Sequence, residues 1–293
     1  MNEEELILSI DIGGTHFRMG LCSSNGSIIS HESLPTATLD SATSGLKSLA
    51  KNIDPTQQAK RVVVGVPGIV NYTTQELLFA PNIPQNFISQ LTGARISDAL
   101  QLPSLLVNDA DLAAIGECYF GAGNSFTSFA YVTISTGVGA AVITNRKLVH
   151  TQYSLAELGH SYISANYSNP SHDGSVEYLA SGTAMARLAK LRGISLSNED
   201  LIASAKNGDH AAESLIDEIA WHGAVALANI VHFFSIDAIV LGGGVILSGE
   251  YFFDRITSHF ESLRPKYIDV KLLLATLGDN AGLVGGTSAH LAL

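Results

Sequence analysis

Cysteine is nearly absent: the 293 residues contain only Cys22 and Cys118, and no Cys-x-x-Cys spacing. A disulfide framework is therefore excluded, and the chain reads as a cytoplasmic protein of a reducing compartment. Positive charge is scarce too, with 16 Lys+Arg against 27 Asp+Glu and a net charge of -11. Such a surface repels a phosphate backbone, so no nucleic-acid partner is expected. Any anionic ligand would have to be held locally, by backbone N–H groups, helix N-termini or a metal ion, and not by a basic field. No apolar run approaches the ~20 residues that cross a bilayer, and the start, MNEEELILSIDIGG, is acidic where a secretion signal is basic. No membrane partner is expected. Charged residues make up only 15% beside 46% hydrophobic ones, which leaves no room for extended disorder and enough apolar mass for real cores. The length predicts about two domains of roughly 150 residues each, and hence one cleft between them.

What is present is a repeated order of elements. Leu6–Ile10, Phe17–Cys22 and Ser27–His31 read as a three-strand meander, with the turn Asp11-Ile12-Gly13-Gly14-Thr15 after the first strand. A helix-length stretch over Ala42–Ile53 follows, then the β-branched run Arg61–Val66 stopped by Pro67-Gly68. Leu105–Val107 is a short buried strand, and Asn108-Asp109 opens a helix over Ala110–Tyr119. The order then restarts. Phe129–Ile134, Ala140–Thr144 and Lys147–His150 read as strands, with Ser135-Thr136-Gly137-Val138-Gly139 as a glycine turn between the first two. Helices over Val176–Leu191, Glu199–Asn207 and His210–Phe234 precede a strand Ala238–Leu241, and a helix Phe253–Leu263, a strand Leu272–Ala275 and a last helix from Asp279 close the chain. Meander followed by alternating helix and strand, twice over, predicts an α/β protein of two similar domains with mixed sheets.

Several short motifs carry chemistry, each beside a plainer reading. Two glycines in the Asp11–Thr15 turn serve a tight hairpin; a carboxylate ahead of exposed glycine N–H groups also suits Mg²⁺, through water, and phosphate oxygens. Thr133–Gly139 repeats the hydroxyls and glycines without the acid. Leu241-Gly242-Gly243-Gly244 follows a strand and precedes a helix, where α/β proteins admit ligands, but lacks the G-x-G-x-x-G spacing of a dinucleotide site. Asn108-Asp109 is good N-cap chemistry, and a carboxylate stabilised at a helix start also suits a group that takes a proton from a hydroxyl. Glu157-Leu158-Gly159-His160 and Glu177 are unspecific alone.

In order and spacing, however, DIGGT, GVPGIVN (65–71), VNDADLAA (107–114), TISTGVG (133–139), ELGH (157–160), VEYLASG (176–182) and LGGGV (241–245) resemble the ROK family of sugar kinases and sugar-sensing repressors. The resemblance covers nearly the whole chain. It implies the actin-like ATPase (ribonuclease-H-like) fold around a central cleft, with residues 1–118 plus a C-terminal helix 280–293 as the smaller domain and 119–279 as the larger. It also implies an ATP- and Mg²⁺-dependent sugar kinase that forms a homodimer. By that similarity Asp109 is the catalytic base. Asp11, Gly13, Gly14 and Thr15 form the first phosphate motif, with Asp11 on Mg²⁺, Thr136 and Gly137 the second, and Gly243 and Gly244 the adenosine side. Asn82, Asn108, Asp109, Glu157, His160 and Glu177 bind the sugar. Glucose, phosphorylated at its C6 hydroxyl, is the first expectation. N-acetylmannosamine, N-acetylglucosamine and fructose are alternatives, and a sugar-sensing protein without turnover and an actin-like ATPase acting on protein partners are readings of other classes.

Three departures stand out. The family's zinc motif, Cys-x-Cys-Gly-x-x-Gly-Cys, belongs between His160 and Glu177, where this chain reads SYISANYSNPSHDGSV. No zinc site is expected, and His160, His172 and Asp173 read as a hydrogen-bonded loop in preference to a substitute site. His16 stands where the family often has Lys. The repressor branch carries an N-terminal helix-turn-helix, whereas the first phosphate motif here begins at residue 11, so no DNA-reading segment is expected.

Overall fold

The structure is a computed structural model that describes residues 4–13, 16–154, 157–165 and 173–293. Twelve strands run in chain order: β1 Leu6–Ile12, β2 His16–Ser23, β3 Ile28–Pro35, β4 Arg61–Val66, β5 Ile69–Asn71, β6 Glu76–Phe79, β7 Ser104–Asn108, β8 Ser128–Ile134, β9 Val138–Thr144, β10 Lys147–Leu148, β11 Ala238–Gly242 and β12 Lys271–Leu274. The chain forms two compact units, one of Met1–Ser125, Val142–Leu155 and Asp279–Leu293, the other of Phe126–Ala141 and Ala156–Gly278.

The first unit is built on a five-stranded sheet in the order β3-β2-β1-β4-β7. β1, β2 and β3 are the antiparallel meander, whereas β1, β4 and β7 run parallel. A mixed sheet of this kind leaves the inner strands covered on both faces, which is why β4, read as RVVVGV, is β-branched and buried almost throughout. The parallel register pairs Asp11 with Gly65 and Val66 with Asn108, so the carboxyl ends of β1, β4 and β7 finish level. That edge is where an α/β sheet presents ligand-binding groups. The helix Ala281–Gly286 packs on β1 and on the helix Asp109–Phe120. Its glycines permit the approach: a Cβ on Gly285 would lie 1.9 Å from the Leu112 carbonyl oxygen, and one on Gly286 2.0 Å from Ser9 Oγ.

The second unit is built on β8, β11 and β12, which run parallel within a five-stranded sheet of order β10-β9-β8-β11-β12. β11, AIVLG, is buried at every position, and the long helix His210–Phe234 packs against the helix Glu250–Leu263. Among the described residues no helix is long and apolar enough to cross a membrane.

Four expectations need correction, the first being the single C-terminal helix over 280–293, which is instead two short helices, Ala281–Gly286 and Ala289–Ala292. The helix expected over Val176–Leu191 is two, Val176–Ala180 and Gly182–Leu191, because Ser181 sits at φ -87°, ψ 169° and accepts the Ala184 N–H, capping the second. The strand expected over Lys147–His150 stops at Leu148. The stretch between Pro67 and Leu105, without assigned elements in the sequence, holds the β5–β6 hairpin and the helices Gln85–Ile88 and Gly93–Leu100.

Candidate active site

β7 ends at Asn108 and the helix Asp109–Phe120 begins at the next residue. Asn108 is the cap: its Oδ1 accepts the N–H groups of Ala110 (2.9 Å) and Asp111 (3.1 Å), while its Nδ2 donates to the Gly68 carbonyl at 2.9 Å. The carboxamide oxygen is thus fully occupied, and one further Nδ2 hydrogen is what Asn108 has to offer a substrate. Because Asn108 does the capping, Asp109 is not needed for it. Asp109 occupies the first helical position, partly exposed, with the Ala110 N–H 2.8 Å from its Oδ1. The positive end of the helix favours its anion. β4 passes close by at Gly65, where a Cβ would meet Leu112 Cδ2 at 2.9 Å and Asp109 Cα at 3.8 Å.

At the end of β1, Asp11 forms an ion pair with Arg18 of β2. Gly13 donates its N–H to the His16 carbonyl at 2.8 Å and its own carbonyl accepts the Thr36 hydroxyl at 2.9 Å, which closes the turn. Gly14 and Thr15 lie outside the described residues. His16 is exposed at the start of β2, and Asn82 is exposed on the turn ahead of the helix Gln85–Ile88 in the same unit.

The second unit gathers the remaining candidates around the turn between β8 and β9. Ser135 donates its N–H to the Gly137 carbonyl (2.9 Å), and the Thr136 carbonyl accepts both the hydroxyl (2.7 Å) and the N–H (3.2 Å) of Thr183. Glu177 Oε2 accepts the Val138 N–H at 3.0 Å, and a Cβ on Gly137 would fall 2.3 Å from that oxygen. Glu157 stands close enough to Glu177 to feel its charge: burial, then the neighbouring Glu177, push the Glu157 carboxyl above the usual carboxylate range, against a partial opposite pull from His160. His160 Nε2 lies 3.9 Å from Glu157 Oε2. Glu157, Glu177 and Gly137 therefore share one neighbourhood. Thr136 and Gly244 share another, a cavity of about 460 Å³ also lined by Thr183, Asn198, Glu199 and Ser248. Its volume falls within the ordinary range for small-molecule sites. Gly243 has φ +90°, and a Cβ there would lie 2.4 Å from the Ile134 carbonyl oxygen, so glycine is required for β11 to turn past the end of β8.

Among the described residues no group of three His, Cys, Asp or Glu is placed to hold a metal ion. Of the candidate set His160, His172 and Asp173, His172 lies outside the described residues. Sequence reasoning missed Arg18, Tyr72, Asp111 and Thr183. Tyr72 and Thr183 are ordinary turn and helix-start residues whose partners are remote in sequence, while the doubled acid of Asn108-Asp109-Ala110-Asp111 was a signal for Asp111.

The ROK family profile matches residues 7–292. The chain belongs to the ROK family. It is 28% identical to a glucokinase of Halalkalibacterium halodurans, over 95% of this chain and 93% of that protein. To an N-acetylmannosamine kinase of Shigella flexneri the identity is 30%, over 95% and 96%. A ROK glucokinase of Streptomyces griseus, solved with glucose and AMPPNP, superposes with a TM-score of 0.81 at 28% identity, covering 98% of this chain and 99% of that one. The actin-like fold expected of this ROK protein is therefore the one it has.

Proposed function

We propose that this ROK protein transfers the γ-phosphoryl group of MgATP to a hexose, with the C6 hydroxyl of glucose as first choice and Asp109 as general base. The observation that carries the reading is the Asn108–Asp109 junction: the cap role falls to Asn108, which leaves a carboxylate at a helix N-terminus at the ligand-presenting edge of the sheet. Sugar-kinase chemistry is supported by the glucokinase and N-acetylmannosamine kinase relatives. In this mechanism Asp109 takes the proton of the attacking hydroxyl as that oxygen attacks the γ-phosphorus in line. Asn82, the remaining Asn108 N–H, Glu157, His160 and Glu177 orient the sugar. Gly13, Gly14, Thr15, Thr136 and Gly137 meet phosphate oxygens, and Gly244, which lines the 460 Å³ cavity, borders the adenosine together with Gly243 beside it in sequence.

Asp11 suits Mg²⁺ held through its water shell, since a single carboxylate already paired with Arg18 is too little for a direct site. When bound with the nucleotide, the ion would neutralise phosphate charge. In the proposed assembly the protein is a cytoplasmic homodimer whose two functional domains, residues 1–118 with 280–293 and residues 119–279, differ from the compact units in that Val142–Leu155 packs with the first.

The test is a coupled assay of ADP release across glucose, N-acetylglucosamine, N-acetylmannosamine and fructose. Turnover with one or more of them is expected, with kcat/KM for glucose the highest. Release of ADP that no sugar accelerates would overturn the kinase reading, and preference for an acetylated sugar would overturn only the choice of glucose.

A further inference from the structure

β7 is the edge strand of the first sheet, and an edge strand leaves alternate N–H groups without a ladder partner. Here side chains replace the missing strand. Gln75 Oε1 accepts the Leu106 N–H at 2.6 Å, and the Tyr72 hydroxyl oxygen accepts the Asn108 N–H at 3.2 Å. Both side chains come from the turn joining β5 and β6, itself tied down by the Tyr72 N–H on the Gln152 carbonyl (2.8 Å), the Gln75 side-chain amide on the Tyr72 carbonyl (3.1 Å) and the Gly93 N–H on the Gln75 carbonyl (2.8 Å). The Tyr72 ring also packs edge-on against His150, with centroids 5.4 Å apart. Tyr72 is thus a fixed group with its hydroxyl at the last residue of β7.

That hydroxyl does two things. It accepts from Asn108 and donates to Asp111 Oδ2, and Asp111 is 1% exposed. Asn108 and Asp111 flank Asp109, and the Asn108 side chain also grips the Asp111 N–H. One oxygen therefore spans the first turn of the helix from outside it, between the residue before Asp109 and the residue two after.

We propose that Tyr72 is a positioning residue for phosphoryl transfer: its hydroxyl, bridging the Asn108 N–H and the Asp111 carboxylate, sets the angle at which Asp109 meets the attacking hydroxyl. The proposal rests on Asp109 being the base. Burial and the Asp111 charge drive the phenol far above its ordinary pKa, so it remains a donor at every working pH. A misplacement of about 1 Å at the reacting group can cost on the order of a hundredfold in rate.

The experiment compares Tyr72→Phe with Asp109→Asn on the full chain, reading kcat and both KM values for the best sugar and MgATP, with melting temperature alongside. Tyr72→Phe keeps the ring on His150 and removes one oxygen. Expected are a ten- to hundredfold fall in kcat, both KM values within threefold of wild type, and a folded protein at the assay temperature. A kcat above half of wild type, or an effect confined to KM, would overturn the proposal while an inactive Asp109→Asn left the base assignment standing. An Asp109→Asn enzyme that retains more than a tenth of wild-type kcat removes the base reading and this proposal together. Should Tyr72→Phe fail to fold, Asp111→Asn provides the second arm, since it conserves volume and replaces the charged acceptor of the tyrosine by a neutral one. It should lower kcat with KM unchanged, and wild-type kcat there would overturn the proposal.

Discussion

Asn108 takes the capping job that the sequence left open between it and Asp109, the proposed base. Either residue has cap chemistry, and only the bonds that the Ala110 and Asp111 N–H groups donate to Asn108 Oδ1 show which one caps. Asp109→Asn should therefore leave the helix start intact, so that folding and sugar binding persist while kcat falls by about 10²–10⁴-fold. Steady-state kinetics beside a thermal melt measure both halves of that statement. Glu157 makes a different prediction. Its pKa is raised, so it gains a proton as the pH falls while ordinary carboxylates are still ionised. A protonated Glu157 is a poorer acceptor for a sugar hydroxyl, and KM for sugar should rise as the pH drops into that range. Glu157→Gln should raise KM for sugar roughly ten- to a hundredfold and flatten that part of its pH dependence. A variant with the wild-type KM profile would show that Glu157 does not touch the sugar.

The element that ties the proposed sugar groups to the proposed phosphate groups is the turn between β8 and β9. Four bonds hold it from one direction: the Val138 N–H on Glu177, the Thr183 hydroxyl and N–H on the Thr136 carbonyl, and the Gly182 N–H on the Ser135 carbonyl at 2.7 Å. Glu177 is thus an anchor of the proposed phosphate turn as well as a candidate sugar ligand. Truncating it leaves the Val138 N–H unpaired in a tightly packed place, so Glu177→Ala should raise KM for MgATP as well as for sugar, each by at least tenfold. A rise confined to sugar would show that the turn keeps its shape without Glu177. None of this coupling was legible in the sequence, because Thr136, Glu177 and Thr183 meet only through the chain's return across the sheet. The meanders, β4 and the helix Asp109–Phe120 were legible, each being long enough to show its period or its cap. The β5–β6 hairpin was not. Its strands are three and four residues long, and Gln75 takes a left-handed backbone, φ +56°, that no glycine announces. Ser181, by contrast, was a visible cap residue whose break was hidden by apolar spacing that continues across it.

At the scale of the whole molecule, the stretch between His160 and Glu177 lacks the cysteines of the family's zinc motif, and no zinc is expected there. A structural zinc site contributes folding energy outright, and a chain that depends on one melts earlier when the metal is removed. In the second unit the helix Val176–Ala180 has other holds: the Ser175 hydroxyl accepts the Tyr178 N–H at 3.3 Å, the Val176 N–H reaches the Ser161 carbonyl at 2.9 Å, and the Ile163 N–H reaches the Gly174 carbonyl at 2.9 Å. Arg187 adds a bond to the Tyr178 carbonyl at 2.8 Å while its guanidinium lies 3.7 Å from the Tyr178 ring centroid. Backbone pairing from Ser161 to Val176 and a cation–π lid on Tyr178 can fix Glu157 and Glu177 without a metal. The protein should therefore hold no stoichiometric zinc after chelator washing and should melt at the same temperature with or without the chelator. One equivalent of retained zinc, or a melting temperature that falls by several degrees when chelator is added, would mean that His160 and its loop rebuild a metal site from other ligands. The orientation of both glutamates would then depend on that metal, and Arg187→Met, which removes the hold on Tyr178 but no metal ligand, would leave KM for sugar unchanged where the zinc-free account expects it to rise severalfold.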